Sequence, residues 1–164
     1  MKRSRGARPA LARRHVVRWR MASTSALAAS AALGACADFA TAVDPTFGLP
    51  DVAVASPTLV RDIQPILDKR CAFGGCHSAA TRQAGLSLVS TESFDALVGH
   101  RATLRPSQTL VVAGDTTRSW LLVMLGSDDA RRGGFSRMPL AATPLTPKQL
   151  ATFARWIASG APRQ

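Results

Sequence analysis

Cys71-Ala72-Phe73-Gly74-Gly75-Cys76-His77 is the stretch from which the rest of the sequence is best understood. Two thiols with four residues between them, and an imidazole directly after the second, leave three chemistries open. A disulfide would close a small loop, as cysteines of exported proteins often do. A zinc ion would need a fourth donor, and His100 is the one spare histidine beyond the leader described below. Covalent haem attachment uses two thiols bonded to one edge of the porphyrin and a histidine beside the second thiol that reaches the iron. Of the three, haem attachment gives the position of His77 a specific purpose. Its usual spacing has two residues between the cysteines, which places both thiols on one helix face. At i and i+5 they lie roughly 140° apart around a helix, so this segment must leave helical geometry to present both. Gly74-Gly75 supplies residues that accept left-handed and bulged backbone.

Working outward, Ile63, Ile66 and Leu67 form an i, i+3, i+4 apolar stripe that predicts a short helix leading into Cys71. Asp62 is the expected cap, and Pro65 then falls in the first turn, where a missing N–H has no intrahelical partner to lose. On the other side, 84–90 reads as a small-residue loop turning Leu86 and Leu88 inward. Ser90 is placed to cap a short helix through Leu97 that stops at Gly99. Trp120-Leu121-Leu122-Val123-Met124-Leu125 predicts a buried helix opened by 115–119 and closed by Gly126. The Gly-, Pro- and Arg-rich span 127–145 predicts an irregular loop. Thr146-Pro147-Lys148-Gln149 combines an N-cap, a proline at the first helical position and a capping-box glutamine. The helix that follows runs to about Ser159, with Leu150, Phe153, Trp156 and Ile157 on one face and Gly160 as its stop.

About four short helices joined by long loops, with almost no strand signal, define an all-α domain that needs a filler at its centre. A porphyrin would give Ile63, Leu67, Trp120 and Trp156 an apolar surface to bury against, at roughly 25 cal/mol per Å².

Residues 1–35 read as a signal peptide. Met1–Arg20 carries eight basic and no acidic residues, and a small-residue, mildly apolar stretch follows from Met21 to Leu33. At about 13 residues that stretch is shorter than the roughly 20 a membrane-spanning helix requires. Translation from Met21 would omit the basic part. Arg13-Arg14 hints at a twin-arginine signal. Leu33-Gly34-Ala35-Cys36 resembles the bacterial lipoprotein cleavage box, with Cys36 lipidated as the first mature residue. Residues 36–57 then form a flexible tether and 58–164 the folded domain. The expected location is exported, on the periplasmic or cell-surface side, anchored to a membrane by lipid.

The leader also accounts for most of the charge. The chain is +11 overall, and without the leader 13 basic and 10 acidic residues leave +3. A nucleic-acid partner loses its support, because that function needs basic residues clustered on the folded domain. Lys69-Arg70 and Arg131-Arg132 are the two basic pairs left, and both read as solvated surface.

The order of segments resembles a known family. Ile63-Gln64-Pro65-Ile66-Leu67, the Cys71–His77 motif, Gly85-Leu86-Ser87-Leu88, Gly114-Asp115, Ser119-Trp120-Leu121, Arg137-Met138-Pro139 and Trp156-Ile157-Ala158-Ser159-Gly160-Ala161 are similar to the single-haem c-type cytochrome domains of exported bacterial proteins, including the planctomycete-type cytochrome c group. The resemblance implies one covalent haem c held by Cys71 and Cys76, with His77 as proximal and Met138 as distal iron ligand. It implies electron transfer, by a monomer, with redox partner proteins at the membrane. The four-residue gap between the cysteines departs from the family's usual two.

Met138 precedes Pro139, which favours extended backbone, and an extended loop can lay a thioether over an open haem face. His100 is the alternative distal ligand, although beside Gly99 and Arg101 it reads most simply as surface. Met124 reads as core filler inside an apolar helix. An open distal face would instead make the domain a haem enzyme or sensor. A non-haem surface lipoprotein with a Cys71–Cys76 disulfide is the other alternative. Hydrolase chemistry has no support, since there is no Ser/His/Asp order and the Asp128-Asp129 pair reads as a solvated loop. The expectation is an electron carrier, not an enzyme.

Overall fold

A computed structural model describes residues 44–164. The expected signal peptide, Cys36 and the first part of the tether lie outside the described residues. The elements run as an opening π-helical turn (Leu59–Ile63), α1 (Gln64–Arg70), a 3₁₀ turn (Gln83–Gly85), α2 (Ser93–Leu97), β1 (Arg101–Ala102), β2 (Arg105–Thr109), α3 (Trp120–Leu125), α4 (Asp129–Arg132) and α5 (Pro147–Ala158). Five short α-helices are thus joined by a two-stranded antiparallel hairpin, with Arg101 opposite Thr109 and Ala102 opposite Arg105.

The first helix begins a turn earlier than Asp62. Thr58 caps it, its hydroxyl accepting from the Arg61 N–H, while the Asp62 carboxylate accepts from the Thr58 N–H at 2.8 Å. Asp62 therefore completes the cap from inside the helix. The free N–H groups of Leu59 and Val60 donate to the carbonyls of Pro162 (2.9 Å) and Arg163 (3.1 Å), so the C-terminal tail satisfies donors that a helix start leaves orphaned. Leu59, Ile63, Ile66 and Leu67 are buried as the stripe predicts.

α5 carries the expected capping box in full, with Thr146 and Gln149 each accepting from the other's backbone N–H. Phe153, Trp156 and Ile157 are completely buried, Leu150 half so, and α5 packs against the opening turn and α3. A cap of this kind is worth about 1 kcal/mol. α2 starts three residues after Ser90 and has no side-chain cap. α3 is likewise uncapped, because the Ser119 hydroxyl donates to the Asp115 carbonyl and accepts from the Val112 N–H. Asp115 shapes the approach to α3 by gathering Arg118 and Thr117, whose hydrogen bonds hold its carboxyl well below the usual carboxylate range.

Besides the β1–β2 hairpin, which an all-α domain would lack, three features depart from the sequence reading. Residues 44–57 do not hang free: the Val54 N–H donates to the Thr152 hydroxyl, Arg155 donates to the carbonyls of Ala53 and Val54, and Asp51 accepts from the Thr146 hydroxyl. The span 127–145 contains α4, capped by Asp128. Arg70 and Arg132, expected on the solvated surface, are 3% and 6% exposed. Each guanidinium is turned inward onto backbone carbonyls rather than outward to water.

Candidate functional site

Cys71 closes α1, its N–H still donating to Leu67 O at 2.8 Å, and the chain then turns out of the helix. The turn is short and internally bonded. Cys76 N–H donates to Phe73 O (3.1 Å) and His77 N–H to Cys71 O (3.0 Å), which brings the imidazole back beneath the end of α1. Gly75 has φ +83°, in the left-handed region, and a Cβ there would be strained even though it would meet no atom. Its partner Gly74 has no such φ, so one glycine rather than the pair performs the loop-out. Thr81 fastens the same turn by accepting from the Gly75 N–H.

The Leu86–Leu88 segment locks the histidine. Leu88 N–H donates to His77 O at 2.8 Å, and His77 Nδ1 lies 3.3 Å from Leu86 O. A carbonyl can only accept, so in the neutral imidazole this contact places the proton on Nδ1 and makes Nε2 the lone-pair nitrogen. Metal-binding histidines are commonly oriented this way.

Cys71, Cys76 and His77 face a cavity of about 610 Å³, within the range of cofactor sites. Its walls come from α1, the 82–88 loop, the β1–β2 hairpin, α3 and the 135–142 loop, and they include Leu67, Trp120 and Leu121. Met138 lines the same cavity, half-buried, with its N–H donating to Met124 O at 2.8 Å. Met124 is also half-buried and lines the wall rather than filling a closed core. His100 is exposed at the cavity's edge. The cavity thus brings together both thiols, His77, Met138 and His100, while Trp156 packs elsewhere in the core.

Both cysteines are free thiols. Among the described residues no three His, Cys, Asp or Glu side chains cluster as metal ligands. Burial pushes the Cys71 thiol up from 9.0 to about 12, opposed by the neighbouring Arg70. Two results follow for the haem-free protein. At pH 8, alkylation is expected to modify half-exposed Cys76 well before buried, protonated Cys71, as peptide mass mapping would register. The sign of the linkage is also set: with the folded pKa raised, the stabilising contribution is complete below 9.0 and is lost as pH rises toward about 12. Denaturant midpoints should fall through that window, and Cys71→Ala should remove part of the fall.

Sequence reasoning missed the two buried arginines and Ser87. The Ser87 hydroxyl is buried without a hydrogen-bond partner and lines the cavity. Nothing in the order of residues around Arg132 distinguishes an inward guanidinium from a solvated one. None of the described helices is long and apolar enough to cross a membrane. No family model, curated protein or solved structure matches the chain.

Proposed function

We propose that this chain is an exported, lipid-anchored c-type cytochrome that carries electrons between redox proteins at a membrane. One haem c would be bound through Cys71 and Cys76, with iron ligated by His77 and Met138. The observation that carries this reading is the convergence of two free thiols, an imidazole with its Nε2 lone pair free, and a thioether on one largely apolar cavity. A disulfide-bonded lipoprotein would give His77 and Met138 no reason to share that cavity.

The residues present fit the group. Haem would supply the one-electron couple of its iron, and everything else falls to the protein. The thiols fix the porphyrin edge at the end of α1. Leu86 holds the His77 ring in one tautomer and orientation. The largely apolar walls would limit water around the group, and the Met138 thioether, as a ligand, would favour the ferrous state and raise the potential. With His77 and Met138 both available to hold the group, little would need to rearrange on electron transfer, which suits a carrier rather than a catalyst. The lipid at Cys36 would keep the domain beside its partners, with the required anchoring strength coming from more than one acyl chain.

The test is an absorption spectrum of the full chain matured with a cytochrome c assembly system, together with haem staining on a denaturing gel. A red protein that keeps its stain is expected. Its ferric form should show the weak far-red band of methionine-bound haem, and Met138→Ala should abolish that band. If the wild type is six-coordinate without that band and His100→Ala, not Met138→Ala, removes the sixth ligand, the distal ligand has been misassigned. A colourless product from a system that matures a control cytochrome would leave the disulfide-bearing lipoprotein in its place.

A further inference from the structure

The loop that brings Met138 to the cavity has little regular structure of its own, and contacts to α1, α3 and the hairpin hold it, among them the Arg105 guanidinium donating to the Arg132 carbonyl at 3.2 Å. Ahead of Met138, the buried Arg132 guanidinium donates to the Gly126 carbonyl at 2.6 Å and to the Val123 carbonyl at 3.5 Å, at the C-terminal end of α3. It also pairs with Asp129. Next, Phe135 sets its edge on Trp120 of α3, with ring centroids 6.2 Å apart and planes at 84°. Met138 itself is bonded through its N–H to Met124 O. Beyond it, the buried Arg70 guanidinium donates to Thr143 O and to Pro45 O, while lying 3.9 Å above the centre of the Phe47 ring.

The two arginines sit at the ends of the loop and reach different elements. Arg132 fastens the entry to the end of α3, where unpaired carbonyls and the negative end of the helix dipole favour a cation. Arg70 fastens the exit to the last residue of α1, immediately before Cys71. Between them lie residues 133–142, including Gly133 and Gly134 and the largely exposed Leu140. The backbone contact at Met138 and the aromatic contact at Phe135 lie inside the segment, and Arg105 meets its entry only at the Arg132 backbone carbonyl.

We infer that Arg132 and Arg70 are positioning residues that clamp the two ends of the Met138 loop and thereby fix where its thioether lies in the cavity. The spectroscopic consequence rests on the cytochrome reading; the clamp rests on the geometry. Arg132 carries the main test, because Arg70 adjoins the attachment cysteine.

The experiment compares Arg132→Gln, Arg132→Lys and Arg70→Gln with the wild type in the matured full chain, with Ile157→Val as a core variant remote from the loop. Arg132→Gln is expected to keep the haem stain, lose most of the far-red methionine band and take up carbon monoxide in the ferrous state. Arg132→Lys, which keeps a cationic donor, should recover part of the band. Amide hydrogen exchange at Met138, readable without haem, should rise about tenfold in Arg132→Gln while α5 amides stay close to wild type. Arg70→Gln should loosen the loop from its other end, with faster exchange around residue 143. The inference is overturned if Arg132→Gln keeps both the band and slow exchange at Met138, or if exchange rises uniformly, as in Ile157→Val. A colourless wild type would remove the cytochrome reading while the exchange data still decide the clamp.

Discussion

Alanine at both Cys71 and Cys76 is expected to reduce denaturation-resistant haem stain to background, whereas His77→Ala should retain stain but lose the six-coordinate spectrum. The two results separate attachment from ligation, because thioether bonds survive denaturation and an iron–imidazole bond does not. The argument for the thiols rests on where the fold puts them: both are free, and both line the large cavity with His77. Each single cysteine variant should keep part of the stain through its remaining bond. Haem staining on a denaturing gel and the absorption spectrum of the folded protein measure the two properties independently. A wild-type chain that instead lacks stain and weighs two hydrogens less than its reduced form would contain the Cys71–Cys76 disulfide. In that case neither variant would change the colour.

What the sequence could disclose about this site is what depends on neighbours along the chain. The adjacency of Cys76 and His77, the apolar stripe running into Cys71 and the Thr146–Gln149 box are all local, and each names its residues without a fold. Met138 was reached by resemblance and by its place before Pro139, and the fold brings it to the same cavity. The missed features depend on contacts across the chain. Arg70 and Arg132 look like surface in sequence because arginine usually is; the Thr143 carbonyl 73 residues on draws Arg70 inside, and the turn from α3 into α4 sets the Gly126 carbonyl against Arg132. The β1–β2 hairpin was hidden by the polar, proline-containing composition of β2, Arg105-Pro106-Ser107-Gln108-Thr109, which shows no apolar alternation. Residues 44–57 lack a period for a similar reason: their order comes from hydrogen bonds to α5 about 100 residues away. The expected leader and lipidated Cys36 rest on composition and motif alone and lie outside the described residues.

Replacing Trp156 by alanine is expected to be the most damaging single change outside the cavity, at about 3–5 kcal/mol. Trp156 is fully buried, and its indole N–H donates to Pro162 O at 3.0 Å. That carbonyl also accepts the Leu59 N–H at 2.9 Å, so one acceptor joins α5, the C-terminal tail and the start of the first helix. After truncation Pro162 O keeps its backbone donor, and the cost is therefore mainly lost apolar contact and the cavity left behind. Against a typical total of about 5–15 kcal/mol, such a loss brings the domain near its folding threshold. The melting temperature should drop by on the order of 10–20 °C. Trp156→Phe restores much of the ring but not the donor, and should lose roughly 1 kcal/mol for the hydrogen bond in addition to its smaller volume. Denaturant titration of the three proteins in the same haem state measures the difference, with equal slopes required for a like-for-like comparison. A cost below about 1 kcal/mol for Trp156→Ala would mean that the cavity can collapse around the missing ring. The tail carbonyls that cap the first helix would then hold without the indole, and α1 would present Cys71 independently of α5.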